Sequence, residues 1–206
     1  MSFIDSTYFT GEINIPQAAT NDRLTQAIEQ YEREYLILLL GYELYKALQA
    51  DLDSNGDPQT EKYTDLVDGA EFTHEYKDEE RLIKWEGLRN STAGLLSPIA
   101  FYVYYKFVER DITEWKSSGV GVVPGGKDWD RRNPTYKLAN VWDRLRDIHG
   151  RVPIRYKNTF NYPVLGSEIG GPYDFSPSAF NFLYANKSDY TEWIFTPLWS
   201  INVFGI

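Results

Sequence analysis

Cysteine is absent from this 206-residue chain. Disulfides, thiolate nucleophiles and zinc–thiolate sites are thereby excluded. Histidine is scarce: His74 and His149 are the only imidazoles, too few for a multi-histidine metal centre. No Ser/His/Asp grouping can be argued around either of them. The opening residues Met1-Ser2-Phe3-Ile4-Asp5 lack a basic region followed by an apolar core, so they do not read as a secretory signal. No apolar run approaches the roughly 20 residues of a membrane-spanning helix. The expectation is a protein made and kept in a cytoplasm, unless it leaves as part of a larger particle. An excess of positive charge is also missing: 21 Lys and Arg face 30 Asp and Glu, for a net charge of -9. Non-specific nucleic-acid binding needs clustered cations. An acidic wall would instead let such a polymer slide past without sticking.

What the chain has in quantity is aromatic surface, 16% of residues with 16 Tyr and 6 Trp. Tyrosine and tryptophan suit places that are buried on one side and wet at the tip, whether a core or a subunit contact. The densest stretch is Ser97-Pro98-Ile99-Ala100-Phe101-Tyr102-Val103-Tyr104-Tyr105-Lys106-Phe107-Val108. It is apolar on every side, so a helix here must be surrounded by protein, and its hydroxyls need partners.

Helical periodicity recurs elsewhere. Leu24, Ile28, Tyr31, Tyr35, Leu38, Tyr42 and Tyr45 follow steps of three and four, which predicts one helix face. Arg23, Glu29, Glu32, Arg33 and Glu34 fall on the polar side. Gly41 either ends that helix or is a close-packing point within it. A short helix is expected around 58–68, ending at Gly69. The long apolar helix is expected over roughly 90–115, started or kinked by Pro98, with Ser97 as the candidate cap. Another is expected at about 134–149, and a last one from Ser176 or Pro177 to Asn186. Residues 70–78 alternate weakly, a candidate small hairpin. Asp78-Glu79-Glu80 reads as the acidic start of a helix. Glu109-Arg110-Asp111 reads as a solvated turn. Together these predict a mainly α fold: a helical bundle of about four to five helices with one candidate β-hairpin and an irregular C-terminal extension. Residues 1–150 form the helical domain. Residues 151–206, rich in Pro, Gly and aromatics, pack on it or on a neighbouring subunit.

Two loops imitate ligand sites. Asp51, Asp53, Asn55 and Asp57, with Gly56 in sixth place, match the opening of a helix-loop-helix calcium loop. The twelfth position, which should be a bidentate Glu, is Lys62, and Pro58 replaces the usual apolar eighth residue. The same residues make an ordinary Asx turn. Gly121-Val122-Val123-Pro124-Gly125-Gly126-Lys127 has the spacing of a phosphate-binding loop. Asp128 stands where Ser or Thr should hold magnesium, and a helix precedes it in place of a strand. The alternative for the glycine-rich stretch 117–128 is an arm that orders on assembly. The most basic region, 131–157, reads as a solvated helix face or as a contact with an acidic partner. No cofactor, catalytic residue or metal is assigned beyond the calcium candidates.

Several segments together resemble a family of small phage head-tail connector proteins, also called head completion or adaptor proteins. They are Glu34-Tyr35-Leu36-Ile37-Leu38-Leu39-Leu40-Gly41-Tyr42-Glu43-Leu44-Tyr45-Lys46, Glu71-Phe72-Thr73, Lys84-Trp85-Glu86-Gly87-Leu88, Ser97 to Tyr105, and Gly119-Val120-Gly121-Val122-Val123. Their order and spacing resemble those of family members across residues 1–150. The resemblance implies a mostly helical, non-enzymatic virion subunit. It would form a homo-oligomeric ring under the portal protein, meet tail or stopper proteins, and let DNA pass without sequence-specific binding and without a membrane. Its place would be the virion head-tail junction, after synthesis in the host cytoplasm. The subunit-contact candidates are Gly119, Val120, Gly121, Val122 and Val123 in the glycine-rich loop, and Trp193, Phe195, Trp199 and Phe204 in the apolar tail. The other readings are a calcium-binding interaction module and a nucleotide-binding enzyme.

Overall fold

A computed structural model describes residues 2–15, 22–91, 97–116, 119–122, 134–151, 164–165 and 174–198. Two short 3-10 turns, Ser6–Tyr8 and Gly11–Ile13, open the chain. Helices α1 (Asp22–Leu40), α2 (Tyr42–Asp51) and α3 (Glu61–Asp68) follow, then the strands β1 (Ala70–Tyr76) and β2 (Glu79–Trp85). Helix α4 (Pro98–Ile112) runs directly into β3 (Thr113–Lys116), which pairs with β4 (Gly119–Val122). Helix α5 (Pro134–His149), β5 (Val164–Leu165), α6 (Ala179–Ala185) and β6 (Ile194–Phe195) complete the order.

The expected mainly α bundle, and the mostly helical subunit that the resemblance implies, are corrected. Among the described residues six α-helices stand with three two-stranded antiparallel ladders, β1–β2, β3–β4 and β5–β6, a mixed α/β fold. The acids Asp78, Glu79 and Glu80 do not start a helix. Lys77 and Asp78 take φ of 51° and 63°, the two-residue turn that matches the twist of a hairpin, and Glu79 opens β2. In 113–122, Thr113 and Trp115 alternate, as do Val120 and Val122. These are strand-forming residues at period two, and the interleaved glycines disguise them as a loop. Glu109, Arg110 and Asp111 lie in the last turns of α4 and not in a solvated turn.

Helix α4 is the centre of the packing, flanked by α1, α5 and the Gly11–Ile13 turn. Residues Ile99 to Tyr105 and Phe107 are all buried, as an all-round apolar helix requires. Helix α6 packs between β1 and α5. One contiguous core runs from Phe3 to Leu198, so residues 174–198 share it with residues 2–151.

Helix α1 stops at Gly41. Its φ of +77° is closed to most side chains, and a Cβ there would lie 2.8 Å from that of Ile194. The chain turns, the helical phase shifts, and Tyr42 emerges 52% exposed where the periodicity places it on the apolar face. The last carbonyls of α1 are satisfied from far along the chain: Thr196 N donates to Leu38 O at 3.0 Å, and Trp193 Nε1 to Leu39 O at 2.9 Å.

Candidate functional site

The tyrosine-rich helix is the natural place to look for chemistry, and its start is built by neighbouring turns. Pro98 occupies the first helical position, where its missing N–H costs nothing. Ser97 Oγ accepts from Ile99 N (3.1 Å) and Ala100 N (3.3 Å), while its hydroxyl donates to Leu88 O. That carbonyl belongs to the turn after β2. There Trp85 is buried and donates Nε1 to Leu66 O at 2.9 Å. Gly87 (φ +88°) presses on the backbone at the end of α3. A Cβ on it would sit 2.6 Å from Val67 O and 2.7 Å from Gly69 N.

Two hydroxyls of α4 end on carboxylates at the rim. Tyr102 donates to Glu34 Oε1 at 2.5 Å, with Lys106 Nζ 3.7 Å from the same oxygen. Tyr105 donates to Glu109 at 3.3 Å. Trp142 of α5 covers both rings, with centroids 4.5 Å from Tyr105 and 6.2 Å from Tyr102. Burial, and then the adjacent Glu34, raise the Tyr102 pKa; burial and Glu109 push Tyr105 up to about 12. Both phenols stay neutral donors at physiological pH, Tyr102 tying α4 to α1 and Tyr105 bonding within α4, which does not suit base or nucleophile chemistry.

Both histidines are buried and used. His149 Nε2 lies 3.0 Å from Thr196 O, a carbonyl that can only accept, so Nε2 carries the proton. Nδ1 is then the acceptor for the Tyr35 hydroxyl at 3.2 Å. Burial lowers the His149 pKa to about 4, which keeps the ring neutral. His74 Nε2 donates to Asp174 O at 2.9 Å, and its ring meets Phe72 and Phe175 edge-on. These two imidazoles hold the segment 174–198 against the rest of the fold.

Glu32, expected on the polar face of α1, is buried at 5% exposure. Residues 2–4 fold over it: Phe3 N donates to both carboxylate oxygens at 3.0 and 3.1 Å, and Ser2 Oγ to Oε2 at 2.5 Å. Burial raises its pKa against those hydrogen bonds. No pattern within α1 signals this. The covering segment lies about 30 residues upstream, beyond the reach of helical periodicity.

The calcium candidates are engaged by their own loop. Asp53 Oδ1 accepts from Asn55 N (2.7 Å) and Asp57 N (2.9 Å), bonds that hold its carboxyl below the usual carboxylate range. Asp51 accepts from Gln59 N and Thr60 N, both at 2.9 Å; burial opposes the effect, but bonds from Thr60 and Gln59 lower its pKa. Asp57 pairs with Arg89, which also grips Asp68. Asn55 is exposed and points its amide to Asp53. These residues form an Asx turn closed by an arginine, and among the described residues no three His, Asp or Glu side chains form a metal-binding group.

Of the subunit-contact candidates, Gly119, Val120, Gly121 and Val122 form β4, with Gly121 paired to Glu114 and Val120 to Trp115. Trp193 and Phe195 are corrected as contact residues: at 3% and 0% exposure they fill this chain's own core, Phe195 against His149 and Phe180. They point inward because β6 closes the end of α1. Val123, Trp199, Phe204 and most of the phosphate-loop imitation, 123–127, lie outside the described residues. No helix among the described residues is long and apolar enough to cross a membrane.

What the structure leaves outward is a set of faces, and sequence reasoning missed the most distinct one. In β1–β2, Phe72, His74 and Tyr76 face inward with Ile83 and Arg81, and Phe175 closes over His74, Tyr76 and Arg81. The other face presents the pairs Glu71–Lys84, Thr73–Leu82 and Glu75–Glu80. Leu82 is 68% exposed there. The signal was the alternation in Glu-Glu-Arg-Leu-Ile-Lys-Trp, hidden by its acidic start. Compared with family models, curated proteins and solved structures, the chain matches none.

Proposed function

We propose that this chain is a structural assembly subunit of a tailed phage or prophage, forming a ring at the head-tail junction. It would complete the portal vertex, offer a platform for tail or stopper proteins, and line a channel through which DNA passes without being read. The role is mechanical, with no catalytic residue. One observation carries the reading: the segments that resemble the connector family pack on one another. Glu34 of α1 accepts from Tyr102 of α4. Leu88 accepts from Ser97 at the start of α4. Phe72 of β1 and Trp85 of β2 meet the same ring, Phe182. Segments scattered over residues 34–105 thus act as one packing unit, as a shared fold would demand. The acidic balance of the chain also suits a passage wall.

The test is co-expression with the portal protein of the same phage or prophage, followed by electron microscopy of the purified complex. A ring of extra density seated on the portal is the expected result. Portal particles without added density, with this chain left unbound, overturn the proposal.

A further inference from the structure

We propose that the open edge of β2 pairs antiparallel with the β2 edge of a second copy of this chain, joining two hairpins into one four-stranded sheet. The inference is independent of the ring reading, because a two-fold contact closes at two copies and builds no ring.

Strand β2 is open on one side. β1 has β2 on one flank, and α6 and the Asp174 carbonyl pack beside it. Among the described residues no strand other than β1 pairs with β2. Glu79 to Leu82 and Lys84 are exposed. Hydrogen bonding along a hairpin alternates, and the turn sets its phase. Lys77 and Asp78 form a two-residue turn at positive φ, which makes Tyr76 and Glu79 a hydrogen-bonding pair. Arg81 and Ile83 therefore also turn their amides to β1, while Glu80, Leu82 and Lys84 turn N–H and C=O to the open side. Such a row is a template for another strand.

The side chains of the same three residues say which strand. Charge on an edge ordinarily discourages pairing. Here the charges are self-complementary. An antiparallel copy centred on Leu82 sets Leu82 against the partner's Leu82, Glu80 against the partner's Lys84, and Lys84 against the partner's Glu80. All three are hydrogen-bonding positions, so the outward amides meet one another in about six backbone bonds. A slip of two residues either way, the smallest that keeps the amides in phase, sets Leu82 against the partner's Glu80 or the partner's Lys84.

The pairing covers Leu82, 68% exposed in the single chain. It also answers a local conflict. Glu75 and Glu80 are directly opposed and both exposed. Like charges so placed destabilise a strand pair. The partner's Lys84 extends that row and offsets the two carboxylates. At home Lys84 meets Glu86 at 3.1 Å, an exposed pair of the kind that exchanges partners readily.

The chain has no cysteine, so introduced cysteines report the register without background. Opposed Cα atoms of a hydrogen-bonding antiparallel pair lie about 5.5 Å apart, within disulfide range. Leu82→Cys should cross-link to a dimer under mild oxidation. Glu80→Cys alone should not, because its two copies are offset by four residues, about 14 Å. Mixed with Lys84→Cys, it should form the heterodimer. Leu82→Pro removes an outward N–H and spares the β1 ladder. Sedimentation velocity at about 100 µM, where a contact of micromolar strength is populated, should show dimers for the wild type and association weaker by about tenfold or more for Leu82→Pro. If Leu82→Pro fails to fold, the cysteine variants decide alone. A wild-type chain that stays monomeric at that concentration, or Leu82→Cys and Glu80→Cys chains that cross-link equally, overturn the inference.

Discussion

Tyr35 and His149 are joined at 3.2 Å in the core, the phenol donating to an imidazole whose other nitrogen is committed to Thr196 O. The ring has no room for a second proton without breaking one of these bonds. Its folded pKa of about 4 lies below the ordinary value of 6.5. Above pH 6.5 the group is neutral folded or unfolded, and the stability it contributes is fully present. As pH falls from 6.5 towards 4 the unfolded chain gains a proton that the folded chain refuses, so stability is lost over that window. The loss amounts to about 3 kcal/mol. Glu32 works in the opposite sense: its raised pKa means stability is lost as pH rises through its folded value. Urea titrations of wild type and His149→Gln between pH 4 and 7 should show the His149 slope vanish in the variant; an unchanged slope contradicts the assignment.

Gly87 presses backbone on backbone against Val67, Asp68 and Gly69 at positive φ. Gly87→Ala meets both a strained conformation and carbonyl and amide atoms that cannot swing aside. The expected loss is more than about 2 kcal/mol, read as a lower midpoint in chemical denaturation. Gly11, also at positive φ but with open space around it, provides the control: Gly11→Ala should cost markedly less.

Ser97→Ala removes a helix cap and leaves Leu88 O without its donor. A loss of about 1–3 kcal/mol is expected, and Ser97→Thr should restore most of it. Thermal melts of the three chains check this.

Glu80→Lys turns the opposed Glu75–Glu80 pair into an attractive one. The monomer should gain a few tenths of a kcal/mol, up to about 1. Melting temperatures of the two chains at low salt, where exposed charges are least screened, read the gain.

Much of this architecture could be read directly. The expected helix at about 134–149 matches α5, while the apolar helix expected over roughly 90–115 is shorter at both ends, starting at Pro98, one of the two readings of that proline. Those signals are local: a cap, a proline, an apolar stripe. The errors share a physical cause, which is that the deciding contact lies far away in sequence. Glu32 looks polar until residues 2–4 cover it. Trp193 and Phe195 look like a sticky tail until the open end of α1 is seen to need them. The strands 79–85, 113–116 and 119–122 escape a local reading for another reason: acids and glycines are poor strand formers, and hairpin pairing outweighs that weak preference. The calcium imitation arose because Asx turns and metal loops draw on the same residues.

The closure of α1 by β6 has a consequence for the order of events at the ribosome. Trp193 and Leu39 are separated by 154 positions, and the end of the first long helix stays open until the later residue emerges. At elongation rates of about 5–20 residues per second, that is a wait of roughly 8–30 s. Throughout it the carbonyls of Leu38 and Leu39 face water or a chaperone. The end of α1 is therefore held short of its closed form until residues 193–196 have been made.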